Sequence, residues 1–195
     1  MSYAFWKSAA DRITAALALV LMSPLLLAIA AAIALRDGRP VLFTQQRVGQ
    51  HGRLFRIYKF RTIRPGPHDP TRPNDHLTRT GGVLRRWALD ELPQLWNIVR
   101  GDMGFVGPRP TVPAQVRRYT AFERKRLRVK PGLTGWAQIH GRNALSWPER
   151  IALDVWYVEH RSLWVDAKIV LHTPRVLMRG TGVYGARGAN DTLSR

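Results

Sequence analysis

The chain has no cysteine among its 195 residues, which removes a thiol nucleophile, a disulfide framework and a thiolate-ligated zinc site together. Acids are scarce: 13 Asp and Glu stand against 31 Lys and Arg, a net charge of +18, with a pI near 11.6. None of the six histidines has a partner four residues along, so two imidazoles on one helical face are missing as well. A transition-metal enzyme is not expected. There is no internal repeat and no second domain, and the length suits one domain with its own core. The excess of cations points to a polyanionic partner, whether nucleic acid, anionic lipid or a phosphorylated substrate.

Long apolar runs are also few, and the clearest is Ile13 to Leu35, 23 residues without a charge. As a helix it would extend about 35 Å, against a hydrocarbon core of about 30 Å. It is too long for the apolar part of a secretory signal and has no clear cleavage site. Ser23-Pro24 lies at its midpoint, where proline costs about 3 kcal/mol and serine can bond back to a carbonyl and favour a bend. Lys7 and Arg12 precede the run and Arg36 and Arg39 follow it. Cations at both ends give a spanning helix no orientation, but suit a segment whose two ends face the cytoplasm. The reading favoured is a re-entrant membrane element over 1–38, helix-break-helix at Ser23-Pro24, with a kinked spanning helix as the alternative.

A small helix-rich cytoplasmic domain over 39–180 would follow, then a weakly ordered tail over 181–195. The fold class is α+β, with a short β-hairpin and interfacial amphipathic helices. Val41–Val48 and Arg53–Ile63 read as the hairpin strands around the turn Gly49–Gly52. On the second strand Phe55, Ile57, Lys59 and Arg61 share a face, so its two cations either bind phosphate or are solvated. The proline-rich stretch 64–79 reads as a loop flanking a site, and the basic stretch 112–130 as helical, solvated or against anionic lipid. A loop is expected over Pro131–Trp136. Ser146-Trp147-Pro148-Glu149 has the form of a capping box, which predicts a helix to about His160. A further helix from Ser162 should end or kink near Pro174.

The densest chemistry is Ala88-Leu89-Asp90-Glu91-Leu92-Pro93-Gln94-Leu95-Trp96-Asn97. Two adjacent carboxylates here follow Arg85 and Arg86 and precede Gly107-Pro108-Arg109-Pro110. Such a pair among arginines supplies a nucleophile, a base or a metal ligand for work on a phosphorylated substrate. Asp90 also reads as the N-cap of a helix from Glu91 to Arg100 closed by Gly101. A helix N-terminus there would favour a phosphate beside the acid.

Taken in order, these motifs resemble the small monotopic phosphoglycosyl transferases, the bacterial sugar transferase family. The resemblance runs through Ser23-Pro24, Arg47-Val48-Gly49, Lys59-Phe60-Arg61-Thr62, the Asp90-Glu91 stretch, Gly101-Asp102-Met103 and Val106-Gly107-Pro108-Arg109-Pro110. It continues through Pro131-Gly132-Leu133-Thr134-Gly135-Trp136-Ala137-Gln138, Gly141-Arg142-Asn143, Leu153–Glu159 and Ser162–Asp166. It implies transfer of a sugar-1-phosphate from a UDP-sugar to polyprenyl (undecaprenyl) phosphate, releasing UMP. That is the first membrane step of exopolysaccharide, O-antigen or glycoprotein glycan assembly, on the cytoplasmic face of the bacterial inner membrane among its phospholipids. It implies Asp90 as the nucleophile carrying a covalent phosphosugar, Glu91 as its partner, and Mg2+ held by both. Lys59, Arg61 and Arg109 would bind substrate phosphate.

Arg142 is a candidate on the nucleotide side or a salt-bridge partner of Asp154, and Asp166 a supporting ligand or a helix-start residue. Where relatives have an acidic stretch after Thr62 this chain has Ile63-Arg64-Pro65-Gly66-Pro67, leaving Asp69 or Asp75 as loop acids; His160-Arg161 replaces an Asn-Trp pair. Direct one-step transfer with Asp90 as general base is a variant of the same reading. A membrane-tethered nucleic-acid binder is the rival from another class, but no helix-turn-helix, zinc-finger or RNP-like pattern is present, so no nucleic acid is expected. A non-catalytic scaffold is opposed by the intact Asp90, Glu91, Lys59 and Arg109. The sugar and the oligomeric state, a homodimer included, stay open.

Overall fold

A computed structural model describes residues 3–64, 66 and 76–179. The tail 181–195 and the loop acids Asp69 and Asp75 lie outside them. Helix α1 (Tyr3–Arg36) runs 34 residues and is long and apolar enough to cross a membrane. It departs from the expected helix-break-helix, because helical backbone continues through Ser23 and Pro24. The reason is local. Pro24 has no N–H to give the Val20 carbonyl one turn back, and Ser23 Oγ donates to that same carbonyl at 2.8 Å. The orphaned acceptor is satisfied and the helix persists.

One stripe of α1 packs on the domain at helical spacing. Ala15, with Ala18 and Leu19, meets Phe55, Ile57 and Ile98; Ile29 and Ile33, with Leu26 and Ala30, meet Phe60 and Leu84. The opposite face leaves Val20, Leu21, Leu27 and Leu35 70–87% exposed. Both ends of α1 are tied to the same domain. Near the start, Arg12 donates to the Val99 carbonyl, Lys130 to Ser8, and Tyr3 and Lys7 engage Asp166. Past its end, the Asp37 carboxylate accepts from the backbone of Arg79 and Thr80.

Strands β1 (Leu42–Val48) and β2 (Leu54–Phe60) form the expected antiparallel hairpin, with Leu42 opposite Phe60 and Val48 opposite Leu54. Helix α2 (Gly81–Arg86) leads into a 3-10 turn over Leu89–Gln94 and then α3 (Leu95–Arg100), closed by Gly101 in the left-handed region. The single helix predicted from Glu91 is thus divided. Pro93 cannot donate to the Leu89 carbonyl, so the first turn winds as 3-10 and α-helix begins after it. Asp90 is not the N-cap; Ala88 stands there, at φ 53°.

Strand β3 (Gly104–Val106) pairs in parallel with β4 (Gly132–Thr134), where the sequence suggested a loop. A Cβ on Gly107 would strike the Lys130 carbonyl, and one on Gly132 the Gly107 nitrogen, so glycine permits the approach. The stretch 112–130 is not one helix. It divides into α4 (Pro113–Arg117), α5 (Ala121–Arg124) and a 3-10 turn over Lys125–Arg128, because Thr120 and Glu123 form a capping box that starts the chain afresh.

Helix α6 (Trp136–Ile139) precedes α7 (Trp147–His160), which carries the predicted capping box of Ser146 and Glu149. His160 stacks on Trp156 with centroids 4.6 Å apart. Helix α8 (Leu163–Arg179) runs past Pro174 rather than ending there. Leu163, Trp164, Leu171 and Met178 are exposed along it.

Candidate active site

The first turn after Ala88 places Asp90 and Glu91 against β2. Asn97 on α3 fixes that approach: its amide donates to the Arg56 carbonyl at 2.7 Å and accepts from the Tyr58 N–H at 3.3 Å, as a neighbouring strand would. Lys59 then reaches Glu91 Oε1 at 2.6 Å. Arg109, at the end of β3, reaches Oε1 at 2.6 Å and Oε2 at 3.3 Å. Burial alone would raise the Glu91 pKa, but Arg109 and Lys59 and their hydrogen bonds outweigh it and hold this carboxyl well below its usual range. Burial pulls Lys59 down despite the opposing pull of Glu91, while Glu91 pushes Arg109 up.

Asp90 is the contrast. It is 9% exposed and makes no hydrogen bond or ion pair among the described residues, where its neighbour makes three. Burial, reinforced by the Glu91 charge, pushes its pKa from 3.8 to about 6 against the pull of Lys59, Arg85 and Arg109. One carboxylate is bound into a clamp and the other is left free. Ala88 and Arg142, two of the three described non-glycine residues with positive φ, both line the adjoining cavity. Such strain costs about 1–2 kcal/mol per residue and gathers at functional sites.

The Arg109 backbone is itself held. Arg126 donates to the Arg109 carbonyl at 2.9 Å while paired with Asp154, and Arg47 donates to the Pro110 carbonyl at 3.2 Å. Neither residue stands out as functional in the sequence, although Arg47-Val48-Gly49 is one of the motifs that carry the resemblance. Arg142 does not pair with Asp154. One of its terminal guanidinium nitrogens is buried without a partner, and burial, with repulsion from Arg109, lowers its pKa. Arg109, Gln138 and Arg142 line both the large cavity and a smaller polar pocket shared with Arg150 and Asp154.

Two expected site residues lie elsewhere. Arg61 is 5% exposed and donates to the carbonyls of Asp37, Gly38 and Arg39 at 2.5–3.1 Å. It satisfies backbone acceptors past the end of α1, and its guanidinium is engaged there. Asp166 accepts from Tyr3 at 2.6 Å and from Tyr157 at 2.7 Å and pairs with Lys7 at 2.9 Å. These contacts hold α1 to α7 and α8.

As for a metal, no cluster of three His, Asp or Glu side chains stands among the described residues. Both oxygens of Glu91 are engaged by cations. Asp90 alone keeps open oxygens. That suits Mg2+, which takes one or two protein carboxylates and completes its shell with substrate phosphate and water.

A buried carboxylate without a partner among the described residues stands beside a fixed set of cations, on a domain bound along a long apolar helix. The chain matches the bacterial sugar transferase family over residues 2–180 and belongs to that family. It is 44% identical over 156 residues to the uncharacterized sugar transferase EpsL of Bacillus subtilis, covering 78% of this chain and 77% of that one. It is 41% identical over 191 residues to the UDP-N-acetylgalactosamine-undecaprenyl-phosphate N-acetylgalactosaminephosphotransferase of Aeromonas hydrophila, covering 92% of this chain and 45% of the relative. To the exopolysaccharide production protein ExoY of Rhizobium meliloti it is 39% identical over 198 residues, with 91% and 88% covered. The chain therefore spans most of two of these relatives and under half of the third.

Proposed function

We propose that the protein transfers a sugar-1-phosphate from a UDP-sugar to undecaprenyl phosphate in two steps, as an opening reaction of exopolysaccharide assembly. The observation that carries this is the unpartnered Asp90 carboxylate beside cations that Glu91 holds in place. In the first step an Asp90 oxygen attacks the sugar-bearing phosphorus of the donor. The bond from that phosphorus to the bridging oxygen breaks, and UMP leaves with both electrons. In the second, a phosphate oxygen of the acceptor attacks the same phosphorus, the bond to Asp90 breaks, and the carboxylate is restored beside polyprenyl diphosphate-sugar.

Two unit charges 4 Å apart repel by about 4 kcal/mol at an effective dielectric near 20, so a carboxylate cannot approach a diphosphate unaided. Lys59 and Arg109 are set rigidly by Glu91, and Arg142 keeps an unspent donor; these hold phosphate oxygens and take up the charge that develops. Mg2+ would be held by Asp90 and would supply further charge neutralisation.

UMP release without acceptor, with phosphosugar trapped on Asp90, is the expected result. Its acid limb lies near pH 6, because below that value Asp90 is protonated, and the rate falls about ten-fold per unit. A strict ternary-complex pattern with no acceptor-independent UMP would instead make Asp90 a general base, a role its raised pKa also suits.

In this proposal both ends of α1 face the cytoplasmic side of the inner membrane, the helix bending without breaking where Pro24 lacks its backbone bond. The support is that both its ends bind one domain and both carry cations. Cysteines introduced by Ser2→Cys and Arg117→Cys are expected to react with an impermeant reagent from the same side of sealed vesicles. Labelling from opposite sides would overturn the re-entrant topology.

A further inference from the structure

We propose that the cavity of about 350 Å³ beside the Asp90-Glu91 turn receives the head-proximal isoprene units of the polyprenyl phosphate. The inference rests on the transferase reading above and goes beyond it, to where the acceptor's tail lies. The cavity's walls are apolar: Leu92, Phe105, Leu133, Ile139, Val170 and Leu177. Two threonines also face it, but Thr134 and Thr173 are bonded to each other at 2.8 Å and offer little to a ligand. The remaining polar groups are Glu91, whose charge is spent on Lys59 and Arg109, and Arg109, Gln138 and Arg142, which the cavity shares with the small pocket. The volume falls within the range of small-molecule sites, about 300–1,000 Å³, far short of a whole polyprenyl chain.

This polarity selects among the two substrates. A sugar or ribose buries hydroxyls that each need a partner, and these walls supply none beyond the cationic end. An amphiphile with one anionic head and an unsaturated hydrocarbon tail fits both parts. Its phosphate meets Arg109 and Arg142, and its first isoprene units replace water against leucine, isoleucine and valine. The far side is continuous with lipid-facing surface. Trp87 and Val170 line the cavity and are each 49% exposed, and on α8 Leu171 and Met178 beyond them are 74% and 69% exposed. The tail therefore leaves along α8 into the bilayer without crossing polar ground.

The proposal assigns α8 as the acceptor wall. Filling the cavity with Leu177→Trp, in the full chain in nanodiscs, is expected to raise the KM for undecaprenyl phosphate about ten-fold or more. A two-isoprene phosphate should suffer the same loss, because only the head-proximal units are excluded. Exchange of labelled UMP into UDP-sugar, which needs no acceptor, is the reference: its absence in the wild-type protein would sink the covalent mechanism while leaving the acceptor KM measurable. An unchanged acceptor KM in the variant would overturn the cavity assignment. A second measurement avoids dependence on the variant's folding. A polyprenyl phosphate carrying a diazirine on its first isoprene, irradiated with wild-type protein, is expected to label 133–139 or 170–177. Label confined to α1 would place the tail elsewhere and overturn the proposal.

Discussion

Asp90→Asn is expected to abolish acceptor-independent UMP release, by at least about a thousand-fold, and at the same time to make the protein more stable at neutral pH. The first half follows from the loss of the attacking oxygen; removing a nucleophile typically costs several orders of magnitude in rate. The second follows from linkage. A carboxyl raised from 3.8 to about 6 holds its proton in the folded chain over a window where the unfolded chain has lost it. Stability therefore declines as pH rises from about 4 to about 6, and above that window the whole cost of the buried charge is present. At about 1.4 kcal/mol per unit, that cost is on the order of 3 kcal/mol. Asparagine carries no such charge. The variant's melting temperature should exceed the wild type's at pH 8 by several degrees, and the gap should close toward pH 4. An inactive variant with no stability gain would mean that Asp90 is not held in the buried, unpaired state described above; an active one would remove it as nucleophile.

Glu91→Gln has the opposite character. It leaves Lys59 and Arg109 facing one another without their shared counter-charge; because the Arg109 side chain is 41% exposed, the loss falls below the cost of stranding fully buried cations, at about 1–3 kcal/mol. The wild-type contribution is present at neutral pH, because the folded-state pKa of Glu91 is depressed and its carboxylate protonates only in strong acid. The variant should also move Asp90. Glu91 raises the Asp90 pKa while Lys59 and Arg109 lower it, so neutralising position 91 shifts the acid limb of UMP release below pH 6. Urea denaturation and the pH profile read the two effects separately. A limb that stays in place would show that Glu91 does not set the charge state of its neighbour, whatever the stability change.

What the sequence made legible was chemistry with a short range. The hairpin over Leu42–Phe60 follows from alternation across one turn, and the cap at Ser146–Glu149 from four residues in a row. The adjacency of Asp90 and Glu91 was plain too, but their division of labour was not. It depends on Lys59 arriving from β2 and Arg109 from β3, and no local pattern says which acid they will choose. Arg61 shared a strand face with Lys59, as the two-residue period requires, yet it meets carbonyls past α1 because that chain end folds back over it. Asp166 looked like any first-turn acid; its partners Tyr3 and Lys7 stand at the other end of the chain. The pairing of Gly104–Val106 with Gly132–Thr134 involves three residues on each side, too few to leave a period. Tertiary approach decided it, through glycines whose missing side chains become meaningful only when two backbones meet.

The bond between Tyr3 and Asp166 spans a sequence separation of 163 residues, and this sets an order of events during biosynthesis. Helix α1 is synthesised well before Asp166, so Tyr3 lacks this partner, and Lys7 keeps only its pairing with Asp11, until the later part of the chain is made. Contacts of such separation form late, after the loop-closure cost has been met by nearer ones. Helix α8 brings Asp166 to the N-terminal end of α1 and lines the cavity with Val170 and Leu177. Docking of the N-terminal end of α1 and enclosure of the cavity are thus completed by the same late arrival.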